Sequence, residues 1–203
     1  MILTMKIKNI KKNSLRKKAA GFTLLEIIVS ISLFTIIIIL VSDIYLATQR
    51  AYNKNSDIAE LTQNARVSLD RISRELRQSS SLITSLPATD DDPGQPPASQ
   101  MFFQDGHDTA QITYLRYYLD GADLMREHKA YFFSDEPLIY VAYNSFNQAG
   151  EPPSEIIIDD RIVGEYFTEL KFWGINGLIN ISLKLAKNQN AFAIKTSVFS
   201  RNR

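Results

Sequence analysis

The order of apolar and polar residues predicts a very long helix near the start of the chain. Residues 22–41 are almost uniformly apolar, interrupted by one carboxylate, Glu26, and by scattered hydroxyl residues. Twenty helical residues, at about 1.5 Å each, span roughly the 30 Å of a bilayer's hydrocarbon core. We therefore expect a transmembrane helix over residues 22–45.

The helical pattern continues beyond this membrane-length segment. No proline occurs before Pro87, and no glycine lies between Gly21 and Gly94. Charged residues, Glu75 among them, fill the positions that we assign to solvent. The apolar positions recur at spacings of three and four, the pattern of a helix with one buried face: they are Ile58, Leu61, Ala65, Leu69, Ile72 and Leu76. We expect this amphipathic helix over residues 46–83, with its end near Ser79–Ser81.

Residues 84–203 change to the period of strands, and we expect them to form an antiparallel β-rich head. A loop rich in proline and aspartate, residues 84–100, comes first. We predict a solvated loop there, because the alternating acids of a calcium loop are missing. The strand-like runs are 101–103, 112–119, 124–127, 137–143, 155–158, 167–173, 179–185 and 191–199. Since Asp120–Asp123 contains a turn glycine, it predicts a hairpin. One long helix packed on such a sheet is an α+β fold.

Charge is divided unevenly along the chain. The first twenty residues hold seven Lys or Arg and no acid, whereas all 22 acidic residues lie beyond Gly21. Positive charge ahead of an apolar helix places the N-terminus in the cytoplasm, so we expect the head outside the inner membrane. Without these seven, the chain has 16 Lys and Arg against 22 Asp and Glu, a net charge of −6. That balance gives no basic surface for nucleic acid, and we expect no such partner.

The chain has few residues of the types that usually carry out catalysis. It has no cysteine and only two histidines, His107 and His128, which we place near surface turns. No Ser-His-Asp order, phosphate loop or HExxH motif is visible in the sequence. We expect no catalytic residue, no metal site and no cofactor.

The join between the basic leader and the apolar helix carries the candidate functional residues. Small residues, Ala19-Ala20-Gly21, precede the apolar stretch, whereas an ordinary secretory cleavage site follows it. A cut after Gly21 would remove residues 1–21 and leave Phe22 as the new N-terminus; an uncleaved signal anchor is the alternative. A carboxylate so early in a membrane helix is costly. Glu26 therefore needs a cationic partner, unless it reaches the headgroups or stays protonated.

The segment Gly21-Phe22-Thr23-Leu24-Leu25-Glu26 closely resembles the class III signal of type IV prepilins and type II secretion pseudopilins. The resemblance implies cleavage between Gly21 and Phe22 by a membrane prepilin peptidase, which also methylates the amine of Phe22. It implies that Glu26 pairs with the N-terminal amine of a neighbouring subunit during filament assembly. The implied partners are other pilin or pseudopilin subunits, the prepilin peptidase and the inner-membrane assembly platform.

A second resemblance covers parts of the head. Residues 68–78, the hairpin of residues 112–127 and the ending, residues 196–202, are similar to the J-type minor pseudopilin and to W-type minor pilins. This implies a minor subunit that assembles into or caps a type II secretion pseudopilus or a type IV pilus. The alternative is a non-polymerising, membrane-tethered extracytoplasmic binding domain with an uncleaved signal anchor.

Overall fold

A computed structural model describes residues 21–108 and 111–200. Residues 1–20 of the predicted leader, and Arg201 and Asn202 of the predicted C-terminal motif, lie outside these ranges. The chain divides into two units, residues 1–49 and 50–203. One helix, α1 (Leu24–Gln78), runs through the end of the first unit and begins the second. Antiparallel strands follow it, which confirms the predicted α+β fold.

In the first unit, α1 is an apolar helix whose described residues are all exposed. The hydroxyl groups of Ser32, Thr35 and Ser42 each donate a hydrogen bond to the carbonyl oxygen four residues earlier, at 2.8–2.9 Å. These bonds satisfy the hydroxyl groups without water. The helix is long and apolar enough to cross a membrane.

In the second unit, α1 packs on the sheets through one face. Ile58, which we predicted on that face, is 37% exposed, because the buried face begins only at Leu61. Ser68 is buried as well, and its hydroxyl group donates to the carbonyl oxygen of Val163 at 3.4 Å. The other predicted positions are confirmed as buried: Leu61, Ala65, Leu69, Ile72 and Leu76.

The larger sheet has the strand order β1–β2–β3–β4–β5, and β6 lies along β4 on the edge opposite β3. Its strands are β1 (Ser81–Leu82), β2 (Met101–Gln104), β3 (Thr113–Asp120), β4 (Asp123–Phe133), β5 (Glu136–Val141) and β6 (Ser154–Gly164). The predicted hairpin is confirmed, with Asp120 opposite Asp123 across a two-residue turn. Gly121 takes a φ of 61° there, which glycine adopts without strain. The pairing of β6 with β4 shifts register twice, so that β6 is bulged.

The smaller sheet has the order β7 (Phe167–Ile175), β8 (Leu178–Lys187) and β9 (Asn190–Phe199). The loop of residues 84–100 lies along the open edge of β7: Ala98 pairs with Phe172, and the carbonyl oxygen of Pro87 accepts from the Gly174 amide at 2.8 Å. The core between α1 and the two sheets is rich in fully buried aromatic residues: Phe103, Tyr117, Phe167 and Phe172.

Two strands are longer than the sequence predicts by six residues or more. β4 continues to Phe133 and β6 to Gly164, because their polar residues are paired across strands instead of ending them. The placement of His128 near a turn was therefore wrong: it lies in the middle of β4, half-buried. His107 lies in an exposed loop, as expected. β1 is only two residues long and has no periodicity by which to predict it.

Candidate functional site

Three described residues, Gly21, Phe22 and Thr23, lie directly before α1 at the predicted processing site. Thr23 caps the helix: its side-chain oxygen accepts from the Glu26 amide at 3.3 Å, and its carbonyl oxygen accepts from the Glu26 and Ile27 amides. Thr23 and Glu26 have the spacing of a capping box, in which the third helical residue is Glu or Gln. Our sequence analysis missed this role of Thr23, although the Thr-x-x-Glu spacing could have revealed it.

Gly21 has no structural reason to be glycine in the described chain. It is exposed, and a side chain built there would meet nothing within 4 Å. The next residue, Phe22, is 78% exposed. The local fold therefore accepts a larger residue at position 21.

Glu26 lies in the first turn of α1, where the positive end of the helix dipole favours a carboxylate. No Lys or Arg occurs between Phe22 and Gln49. The apolar segment therefore offers no side-chain cation to Glu26. If the chain is cut after Gly21, the freed amine of Phe22 becomes the one new positive charge at this end of the helix.

In the head, Glu75 lies between α1 and the larger sheet. We predicted it in solvent, and the structure corrects this: its side chain is largely buried, because the sheet reaches over this part of the helix. Arg126 donates from Nε to both carboxylate oxygens at 3.1 Å, and Tyr117 donates from its phenol at 2.6 Å. Arg126 also meets Asp159 of β6 at 3.5 Å. One carboxylate thus joins the helix to β3 and β4.

These contacts shift the pKa of Tyr117 and the pKa of Arg126. Burial, followed by the negative charge of Glu75, raises the pKa of Tyr117 well above its usual range. Burial alone would lower the pKa of Arg126, but its hydrogen bonds and charge interaction with Glu75 outweigh burial and raise it. Both side chains therefore keep their protons, and Glu75 is held as their shared acceptor.

A cleft of about 450 Å³ opens beside this group. It is lined by Arg74, Gln78, Asp105, His107 and His128, together with the paired Glu75 and Arg126. Nε2 of His128 is buried and has no hydrogen-bond partner in the part of the chain that the structure describes. Burial, and then the charge of Arg126, lower the pKa of His128 below its ordinary value of 6.5.

This histidine predicts that the head loses stability in mild acid. Below pH 6.5, His128 is protonated in the unfolded chain but stays neutral in the folded chain, because its pKa is lower there. The free energy of unfolding therefore falls as the pH decreases from 6.5 to the pKa of folded His128. The loss is at most about 1.4 kcal/mol per pH unit. Urea unfolding of the full chain, followed by the fluorescence of its single tryptophan, Trp173, measures it between pH 7.5 and 5. His128→Gln should flatten the slope and His107→Gln should keep it; equal slopes in the two variants contradict the assignment.

The three aspartates of the 84–100 loop, Asp90, Asp91 and Asp92, are exposed. Asp90 pairs with Lys195 at 3.1 Å, and Asp92 accepts from the Gly94 amide at 2.8 Å. Within residues 21–108 and 111–200, His, Asp and Glu form no group of three or more that could hold a metal ion.

Residues 16–42 match the family model of the prokaryotic N-terminal methylation motif. The matched segment contains Gly21, Phe22 and Glu26, the residues that the sequence analysis selected. The match supports a type IV pilin-like protein and indicates a chain that prepilin peptidase processes; the motif is typical of structural pilin-type subunits, not enzymes. The comparisons with curated proteins and with solved structures find no match.

Proposed function

We propose that the chain is a minor pilin-like subunit that assembles into or caps a type II secretion pseudopilus or a type IV pilus. Prepilin peptidase cuts between Gly21 and Phe22 and methylates the amine of Phe22. The observation that carries the proposal is the methylation motif of residues 16–42 at the start of an apolar, membrane-length helix. Before assembly, the helix anchors the head outside the inner membrane.

The chemistry of the junction supports a role for Glu26 in assembly. A carboxylate near the start of a membrane helix costs on the order of 2–3 kcal/mol to insert. The amine of Phe22 on a neighbouring copy would offset that cost, because opposite charges attract strongly where water is excluded. The pair would also fix the axial register of adjacent helices, as buried polar pairs do.

The J-type assignment has a structural argument of its own. Two of the segments that resemble minor subunits, residues 68–78 and 112–127, are far apart in the sequence. They meet through Glu75 of the first and Tyr117 and Arg126 of the second. A shared helix-to-hairpin contact is a reason for both segments to be similar to the same group of proteins.

The test is the N-terminus of the mature protein. We expect N-terminal mass spectrometry to find N-methylated Phe22 in cells that produce a prepilin peptidase. An intact leader of 21 residues would overturn the proposal and favour the membrane-tethered binding domain.

Glu26 can pair with a neighbour's amine or can only cap the helix, and two variants distinguish these roles. Glu26→Ala removes both the charge and the capping-box side chain, whereas Glu26→Gln removes the charge but suits the capping box. If Glu26 pairs with a neighbour's amine, both variants should be inserted and processed but incorporated into filaments roughly tenfold less than the wild type. The readout is the ratio of filament-bound to membrane-bound protein in sheared fractions. Normal incorporation of Glu26→Gln would show that the carboxylate only caps the helix.

A further inference from the structure

In the second unit, the basic residues of the strands differ from those of the helix in whether they form ion pairs. Every Lys and Arg on the described strands lies within 4.0 Å of a carboxylate oxygen: Arg116, Arg126, Lys129, Arg161, Lys171, Lys184, Lys187 and Lys195. The basic residues of α1 in this unit have no such partner among the described residues: Arg50, Lys54, Arg66, Arg71, Arg74 and Arg77. Within residues 50–108 and 111–200, the helix therefore carries positive charge that no ion pair neutralises.

Three of these residues form a compact surface, which we call the arginine face. It consists of Arg66, Arg71 and Arg74 around a shallow cavity that Val67, 59% exposed, also lines. Asp70 is the one acid among residues 66–74. Like charges three or four positions apart on a helix repel each other. An acidic surface laid against this face would remove that repulsion and cover Val67.

The same unit has an acidic surface with an apolar residue beside it, which we call the acidic face. Asp120 is opposite Asp123 in the β3–β4 hairpin, and Asp160 of β6 is opposite Glu127 of β4. Ile162, 52% exposed, follows Asp160 on the same side of the strand. In the described chain no basic side chain lies within 4 Å of the three aspartates.

The acids of this face are close together. Burial, followed by the negative charges of Asp160 and Glu127, raises the pKa of Tyr118, and Asp120 adds to the rise. Arg116, which lies opposite Glu127 on the same face, acts against them, and the net shift is still upward. Tyr118 is opposite Met125, which is in turn opposite Ile162. Residues opposite each other in an antiparallel pair share a face of the sheet. The register and the charges thus place the acids and Ile162 on one surface.

The two faces lie on opposite sides of the head. Arg126 of β4 points toward α1, because it contacts Glu75. Side chains alternate along a strand, so Asp123 and Met125 point away from the helix. A molecule with complementary surfaces on opposite sides makes head-to-tail contacts, which extend into open helical assemblies when the rotation does not close.

We propose that the arginine face of one copy docks on the acidic face of a second copy, with Val67 against Ile162. This docking rests on the filament of the proposed function and would be a contact between neighbouring heads within it. Charge complementarity fixes the orientation of the two heads, and the apolar pair adds buried area.

Because the chain has no cysteine, introduced cysteines can report this contact without background. Val67→Cys and Ile162→Cys are placed on differently tagged full-length chains, which are produced together in cells with the assembly machinery and treated with a short thiol crosslinker. We expect the mixed dimer to exceed, by at least about fivefold, the dimer of Val67→Cys with Leu138→Cys. Leu138, 92% exposed in β5, is the matched control for accessibility.

Reversing the charges of the arginine face, and then those of the acidic face, tests whether the two faces contact each other. Arg71→Glu with Arg74→Glu in the Val67→Cys chain should lower the mixed dimer about tenfold, because like charges then meet. Asp123→Lys with Asp160→Lys in the Ile162→Cys chain should restore it, and restoration also shows that the altered heads are folded. Loss without restoration, or a yield equal to that of the Leu138→Cys control, overturns the docking.

The N-terminus of the same sample separates the two proposals. Methylated Phe22 without the specific mixed dimer overturns the docking and leaves the proposed function standing. The mixed dimer in chains that keep their leader overturns the proposed function and leaves the contact between heads standing.

Discussion

The substitution Gly21→Val is expected to leave the leader of 21 residues on the chain and to abolish filament incorporation. A branched side chain at the residue before the cut narrows the backbone conformations available to the peptidase and adds bulk beside the scissile bond. The folded chain itself tolerates the change, because a side chain at position 21 meets nothing within 4 Å. The defect should therefore lie in recognition and not in folding.

The measurement is the mass of the membrane-bound protein and of its N-terminal peptide. Ala19→Val is the matched control, since it adds similar bulk two residues before Gly21 and should be processed. Methylated Phe22 in the Gly21→Val chain at the wild-type level would show that processing does not require glycine at position 21.

The second large effect is expected at Glu75. Its replacement by alanine leaves Arg126 buried against α1 without its main counterion and removes the acceptor of the Tyr117 phenol. Breaking a buried pair in this way costs about 3–5 kcal/mol, since the remaining charge has lost both water and its partner. That is a large part of the 5–15 kcal/mol by which domains are stable.

Urea unfolding of the full chain in detergent, followed through Trp173, measures this loss. The exposed Asp70→Ala serves as control and should change the free energy of unfolding by less than about 0.5 kcal/mol. Tyr117→Phe removes one hydrogen bond and should cost about 1–2 kcal/mol. A loss at Glu75→Ala no larger than that of the control would show that Arg126 is satisfied by Asp159 alone.

The helix was predictable because its signals are local and repeated. The membrane-length run and the stripe from Leu61 to Leu76 each have a period that a short window reveals. Glu75 and His128 were misplaced for the opposite reason. Their surroundings are set by residues far away in the sequence: Tyr117 and Arg126 for Glu75, and the packing of β4 between β3 and β6 for His128.

The candidate site was selected from the sequence because it is a linear motif. Gly21, Phe22 and Glu26 lie within six residues, and no folding is needed to bring them together. The arginine and acidic faces could not be found in this way. They depend on the strand register that groups Asp120, Asp123 and Asp160. They also depend on the ion pairs of the described residues, which neutralise the basic residues of the strands but not those of α1.

The bulges of β6 have a consequence for the protein before assembly. This outer strand carries three consecutive exposed isoleucines, Ile156–Ile158, and a bare strand of that kind is a template for cross-β aggregation. The register shift beside Ile158 interrupts the row of open amide and carbonyl groups, and the charged run Asp159–Arg161 follows at once. In the proposed membrane-anchored subunit, many heads could thus lie side by side at high local concentration without their sheets fusing edge to edge.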